Sequence, residues 1–65
     1  MVNVVNVTDR IQEIMHWKVF PNSNRCIDPL GNIRTSLPDV IAYSDIAKYL
    51  ARNGILKIEG YTVDP

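Results

Sequence analysis

The chain has very few residues that could stabilise a small fold through a disulfide bond or a bound metal ion. It is 65 residues long, with one cysteine, Cys26, and one histidine, His16. An internal disulfide is therefore excluded, and the sequence has no closely spaced pair of zinc ligands. A chain of this length makes one domain at most and buries only about 60% of the surface that its unfolded form exposes. Because small scaffolds usually need a disulfide, a metal or a partner surface, we expect stabilisation by oligomerisation or by assembly onto a larger protein.

Charge and hydropathy narrow the class of partner. Seven basic and seven acidic residues give a formal net charge of zero, and the basic residues are dispersed along the chain. Nucleic-acid binding favours a concentrated basic face, so this composition disfavours nucleic acid as the partner. The sequence has no run of about 18 apolar residues, so we expect no membrane span. Residues 1–6 lack a basic region ahead of an apolar stretch, so we expect the chain not to be secreted.

The N-terminal segment is predicted to be a strand. Residues 2–8 (VNVVNVT) are rich in β-branched side chains, which favour strands. The alternation would place two sets of side chains on opposite faces: Val2, Val4 and Asn6, and Asn3, Val5 and Val7. This pattern suits a strand that is partly covered on both sides, or one that pairs with a neighbouring subunit.

Residues 9–20 (DRIQEIMHWKVF) are compatible with a helix or a strand. Helical spacing is found for Ile11, Ile14, Met15 and Val19. An Asp at position 9 with a Gln at position 12 resembles a capping box. Aromatic and β-branched side chains nevertheless cluster towards position 20. We therefore favour an extended segment that leads into one strand over residues 14–20.

A β-hairpin and a helix follow. The Asp28-Pro29-Leu30-Gly31 sequence places Pro and Gly where a type I turn prefers them. It should join strands over residues 25–28 and 33–37, with Ile33, Thr35 and Leu37 on one face. A helix is predicted over residues 44–53.

The helix has recognisable ends. Ser44 is a good N-cap, Asn53-Gly54 supplies a left-handed C-terminal cap, and an apolar stripe contains Ile46, Tyr49 and Leu50, helped by two alanines. Residues 56–59 form a closing strand, and residues 61–65 a tail or edge extension. The predicted fold is therefore α+β: an antiparallel sheet containing a β-hairpin, one C-terminal helix and a closing strand.

The segment SDIAKYLARNG resembles the first helix of a helix-turn-helix. That motif needs a second helix about three or four residues later, but strand-like residues follow Gly54. If residues 44–53 were themselves the recognition helix, Lys48 and Arg52 would be the only cations available, with Asp45 opposing phosphate. A small nucleic-acid-binding regulator is therefore kept as an alternative. It predicts salt-dependent binding to duplex DNA that weakens when Lys48 and Arg52 are neutralised.

No pattern of reactive residues points to a chemistry. His16 and Cys26 are ten residues apart, and the glycines form no phosphate-binding loop. Carboxylates are present without a spacing that would pair them as acid and base. We expect no catalytic, cofactor or metal site and no small-molecule substrate.

Large aromatic and β-branched side chains are the best candidates for a protein interface. A domain this small should leave some of them for a partner, and an unpaired N-terminal strand could add to a neighbour's sheet. The predicted interface contains Val2, Val4, Val5, Val7, Trp17, Phe20, Tyr43 and Tyr61.

Two short motifs resemble small accessory proteins of tailed-phage virions, which coat or join capsid, neck or tail components. These motifs are Val5-Asn6-Val7-Thr8 near the start, and Gly54-Ile55-Leu56-Lys57-Ile58 after the helix. The resemblance implies a structural role in many copies, without catalytic residues, in a virion made in the host cytoplasm. The partner would be a virion scaffold or a second copy of the chain. A small inhibitor or adaptor that docks on a host protein is the third possibility.

Overall fold

Within the described residues, two small antiparallel sheets and two helices make up the α+β fold that the sequence predicts. The computed structural model describes residues 1–63. In chain order the elements are β1 (Val4–Asn6), β2 (Gln12–Ile14), β3 (Trp17–Val19), β4 (Cys26–Ile27), β5 (Ile33–Arg34), α1 (Asp39–Ala42), α2 (Asp45–Arg52) and β6 (Leu56–Ile58). Of the predicted tail, residues 61–63 belong to no helix or strand, and residues 64 and 65 lie outside the described part.

β1 pairs within its own chain on both sides. It forms an antiparallel ribbon with β6, in which Val5 lies opposite Lys57. On its other side, isolated bridges join Val2 to Leu37 and Asn6 to Ser23. The sequence left open whether this strand is covered on both sides or pairs with a neighbour. The structure shows that both edges of the strand pair within the chain, that the face with Val2, Val4 and Asn6 is buried, and that the other face is covered only in part, at Val5.

A tight hairpin occupies the segment whose structure the sequence left ambiguous. The second sheet has the order β2-β3-β4-β5, and β2 and β3 are joined by Met15 and His16. The prediction of one strand over residues 14–20 is therefore wrong for the first residues, which end β2 and form the turn. The later part of the predicted strand is β3. Both turn residues have positive φ angles, 47° and 72°, as a two-residue hairpin turn requires. Such turns favour Asn-Gly, so Met-His gives no sequence signal.

The predicted turn between β4 and β5 is confirmed. The Gly31 N–H donates to the Asp28 carbonyl at 2.9 Å, which closes the turn. The strand that follows is shorter than predicted, because β5 ends at Arg34. Ile33 is exposed and Leu37 is fully buried, so the prediction that both share one face of a continuous strand is wrong. Leu37 instead pairs with Val2, just before β1, after a bend at residues 35–36.

Both predicted ends of α2 are confirmed. The Ser44 hydroxyl accepts from the Ala47 N–H at 3.2 Å. After the C-cap, the N–H groups of Gly54 and Ile55 donate to Ala51 and Leu50 at 3.0 and 2.9 Å, which is a Schellman motif. Gly54 has a φ of +73°, where a side chain would be strained.

The buried side of α2 differs from the predicted stripe. Ala47 and Ala51 are buried against the core, Leu50 is partly buried, and Ile46 and Tyr49 are exposed. Since alanine side chains are short, this face lets the helix pack closely on the ribbon, where it contacts β6. Two of the three predicted stripe residues therefore face solvent.

The core is built mainly from small and β-branched side chains. One cluster of buried apolar residues joins the two sheets and the helices: Val2, Val4, Ile14, Val19, Cys26, Leu37, Ala42, Ala47, Ala51, Leu56 and Ile58. Asn6 is buried with them.

Candidate protein-interaction surfaces

The structure reduces the number of residues of the N-terminal strand that are available for an interface. Val2 and Val4 belong to the buried core, so in this conformation their side chains cannot contact a partner. Val5 is partly buried and Val7 is exposed, both on the outer face of the ribbon. From this strand, only Val5 and Val7 remain as candidates.

Three of the predicted aromatic anchors already pack within the chain. Trp17, Tyr43 and Tyr61 are partly buried against the core. The Tyr43 hydroxyl donates to the Glu59 carbonyl at 2.7 Å. Each therefore offers a partner only part of its surface.

Tyr61 also engages the two cations of α2. Its hydroxyl accepts from the Arg52 guanidinium at 3.2 Å, and the Lys48 ammonium lies 5.9 Å from the centre of its ring. Lys48 and Arg52 were the groups that the nucleic-acid alternative needs. In this fold they occupy the flank of α2 that faces Tyr61 rather than forming an isolated basic patch.

The outer face of the four-stranded sheet carries one row of side chains, here called the sheet face. Glu13 lies opposite Lys18, Lys18 opposite Ile27, and Ile27 opposite Ile33. Residues directly opposite each other in an antiparallel pair point to the same side. The sheet face therefore joins a charged pair to an apolar pair.

Both tight turns of this sheet lie at the same end, here called the turn end: Met15, His16, Pro29 and Leu30. They coincide there because the β2–β3 and β4–β5 connections reverse the chain at the same edge of an antiparallel sheet. Leu30 is 88% exposed and Met15 is 49% exposed. An open groove of about 420 Å³, lined in part by His16 and Pro29, lies between the two turns.

The turn end also contains strained backbone. Met15 and His16 hold positive φ angles, which cost a non-glycine residue roughly 1–2 kcal/mol each. Conformations of this kind cluster at binding and switch sites. The interface predicted from the sequence did not include Met15 or Leu30. Leu30 could have been recognised as an exposed apolar residue, because it occupies a central position of a turn that the sequence did predict.

The residues with reactive side chains either have structural roles or lie apart from one another. The Cys26 thiol is buried, with the Arg34 carbonyl 3.5 Å from its sulfur. Burial raises the pKa of the Cys26 thiol, and the nearby Asp28 carboxylate raises it further, so the nucleophilic thiolate is disfavoured. His16 is exposed at the turn end. Within residues 1–63, no three or more His, Cys, Asp or Glu side chains form a group that could hold a metal ion.

Asp28 organises the β4–β5 turn. Its carboxylate accepts from the N–H groups of Leu30 and Asn32 at 3.0 and 2.9 Å, and from the Arg34 guanidinium at 3.3 Å. The bond from the Asn32 backbone is the main cause that lowers the pKa of Asp28. This network holds Leu30 in its exposed position.

A second exposed apolar region lies on the outer side of α2. Tyr49 is 59% exposed and Ile46 is 51% exposed. Asp45 and Arg52, at the two ends of the helix, are exposed as well. Neither apolar residue was in the predicted interface, because both were assigned to the buried stripe.

The two motifs that carry the phage-virion resemblance are partners in one structure. Val5 and Asn6 of the first lie opposite Lys57 and Leu56 of the second in the β1–β6 ribbon. The first motif also has a local structural basis, because the Thr8 N–H and hydroxyl both donate to the Asn6 side-chain oxygen, at 2.9 and 2.6 Å.

Comparison with known proteins found no match to this chain among family models, curated proteins or solved structures. Among the described residues, no helix has the length and apolar character needed to cross a membrane.

Proposed function

We propose that the chain is a non-enzymatic structural protein of a tailed-phage particle, bound there to a larger scaffold or to its own copies. The observation that carries the proposal is the apolar surface at and beside the turn end. Leu30 and Ile33 are 88% and 63% exposed, and Met15, in the other turn at the same end of the sheet, is 49% exposed. Exposed apolar groups collected at one place mark protein-interaction sites.

The composition of the core supports a role in assembly. Tyr49 is exposed, while Trp17, Phe20, Tyr43 and Tyr61 are only partly buried. Aromatic side chains supply much of the burial energy of a domain, so a core without a fully buried one gives limited stability. A partner surface that covers the exposed apolar groups would add the missing burial.

The resemblance to phage accessory proteins supports this class of partner. Both of its motifs lie in the ribbon, on which α2 packs, whereas the turn end belongs to the other sheet. The resemblance therefore concerns the β1–β6 ribbon and not the turn end. The exposed turn end provides the contact that the proposal needs.

The test is whether the chain is part of purified particles. Particles made in cells that carry the gene are isolated by density gradient, and the chain is quantified by mass spectrometry. We expect a fixed ratio of this chain to the major particle protein. A chain found only in the unassembled fraction would contradict the proposal.

Variants of the exposed apolar residues locate the contact. Leu30→Asp and Ile33→Asp should lower the amount in particles by about tenfold or more, because each puts a charge into an apolar contact. Ile11→Asp is the matched control, since Ile11 is also exposed but lies at the other end of the sheet. Equal effects of all three substitutions would contradict a contact at the turn end. Fluorescence of Trp17 would show whether each variant is folded.

The same surface would serve a small inhibitor or adaptor. That alternative places the chain in the unassembled fraction, in a complex with one host protein. The particle measurement therefore separates the two functions.

A further inference from the structure

We infer that the outer side of α2 is a contact for a second copy of this chain, formed as an antiparallel helix pair. The inference rests on the proposed function, because it describes how copies meet within an assembly. Asp45, Tyr49 and Arg52 are separated by four and three positions, so they form one strip along the helix. This strip, with Ile46 beside it, is here called the helix strip.

The helix strip is exposed and stands on a rigid element. α2 is fixed on its opposite side by the buried Ala47 and Ala51, and both of its ends are capped by hydrogen bonds. Tyr49 lies near the middle of the strip, with most of its side chain in solvent. An exposed, rigidly held tyrosine is a favoured interface residue.

The charges of the helix strip are self-complementary. A twofold axis near Tyr49 places Asp45 against Arg52 of the partner subunit, and Arg52 against Asp45 of the partner subunit. The two tyrosines then meet at the centre. This antiparallel arrangement also opposes the two helix dipoles favourably, whereas a parallel pair would place like charges together.

Both charged groups are available for this contact. Among the described residues, Asp45 makes no ion pair. Arg52 donates one hydrogen bond to Tyr61 at the surface, and a guanidinium group has five donors. The remaining donors can therefore bind a carboxylate without release of Tyr61.

The size of the helix strip sets the strength of the contact. An eight-residue helix is about 12 Å long, so the pair buries much less than the roughly 800 Å² per partner of a stable complex. We therefore expect a weak dimer, with a Kd on the order of 0.1–1 mM. Weak contacts become effective when a scaffold holds many copies at high local concentration.

Sedimentation velocity of the full chain, across a concentration series that spans this Kd, tests the inference. The unmodified chain should form dimers at the upper concentrations. Asp45→Arg and Arg52→Asp should each weaken self-association about tenfold or more, since each places like charges opposite one another. Lys57→Glu is the matched control, because it makes the same change in net charge as Arg52→Asp at an exposed position on the ribbon.

Mixing the two charge variants gives the decisive measurement. In the mixture, opposite charges face each other at both ends of the helix pair, so heterodimers should form although each variant alone self-associates much more weakly than the unmodified chain. A mixture that stays monomeric would overturn the inference, as would an unmodified chain that is monomeric throughout the series. Trp17 fluorescence confirms that each variant is folded.

The outcomes separate this inference from the proposed function. A purified chain that dimerises through α2 but is missing from particles would reject the phage role and retain the helix contact. A chain that enters particles normally as Arg52→Asp, and does not dimerise in solution, would reject only the helix contact.

Discussion

Replacement of Asn6 by aspartate should destabilise this fold strongly, although the two side chains have nearly the same shape. Asn6 is fully buried. Its amide nitrogen donates to the carbonyl oxygens of Arg10 and Val19, at 2.6 and 3.0 Å. Its oxygen accepts two hydrogen bonds from Thr8. The side chain thereby ties β1 to β3 and to the segment that precedes β2.

The magnitude follows from the two lost donors. Asn6→Asp keeps the accepting oxygen but points a second oxygen at two carbonyl groups. Leaving a buried polar group unsatisfied costs about 1–3 kcal/mol, so we expect a loss of about 3–4 kcal/mol in the free energy of unfolding. A chain of this length has a total stability of roughly 3–10 kcal/mol. The variant should therefore be close to unfolding.

Urea unfolding followed by the fluorescence of Trp17, the only tryptophan, measures this loss. Asn3→Asp is the matched control, because Asn3 is exposed and directly precedes β1. Its effect should stay within about 0.5 kcal/mol. If the two substitutions cost the same, the buried network does not hold the sheets together, and the reasoning is refuted.

The pH dependence provides a second check. Burial should raise the pKa of an aspartate at position 6 above the value of about 3.9 that it has in the unfolded chain. The stability difference from the unmodified protein should therefore be smallest below about pH 4, where the group is protonated in both states. It should grow as the pH rises through the folded-state pKa. A difference that is independent of pH would mean that the carboxylate reaches solvent.

Two further substitutions test the two turns of the four-stranded sheet. His16→Gly should raise the free energy of unfolding by about 1 kcal/mol, because glycine adopts the positive φ at this position without strain. A lower urea midpoint would show that the contacts of the His16 side chain stabilise the fold by more than the strain costs. Asp28 has a lowered pKa in the folded chain, so its stabilising contribution is present above the pKa of the unfolded chain and is lost as the pH falls through the pKa of the folded chain. Asp28→Asn should remove this part of the acid sensitivity, and urea midpoints that fall equally in both proteins below pH 4 would contradict the role of the carboxylate.

Local signals predicted the elements whose ends are encoded by neighbouring residues. Ser44 and Gly54 bound α2 because the N-cap hydroxyl and the left-handed C-terminal residue act on backbone groups only a few positions away. The turn at Asp28 likewise depends on a sequence of five residues. At these positions, interactions between residues close in sequence are sufficient to predict the local structure.

Other features depend on partners that are distant in sequence. The Met15–His16 turn lacks the residues that usually mark a hairpin, and pairing of β2 with β3 and of β3 with β4 holds it in place. Which side of α2 is buried was also decided by packing. Close approach to β6 favours Ala47 and Ala51 over the larger Ile46 and Tyr49.

The sequence by itself determined that this small chain has no internal disulfide, that its fold is α+β and that α2 begins and ends at its caps. Composition and short-range hydrogen bonding are sufficient for those conclusions. Only the tertiary structure decided that Asn6 is buried, that Val2 and Val4 belong to the core, and that Leu30 and Tyr49 face solvent. The physical reason is that strand alternation and helical spacing divide side chains into two sets. Long-range packing then chooses which set is covered.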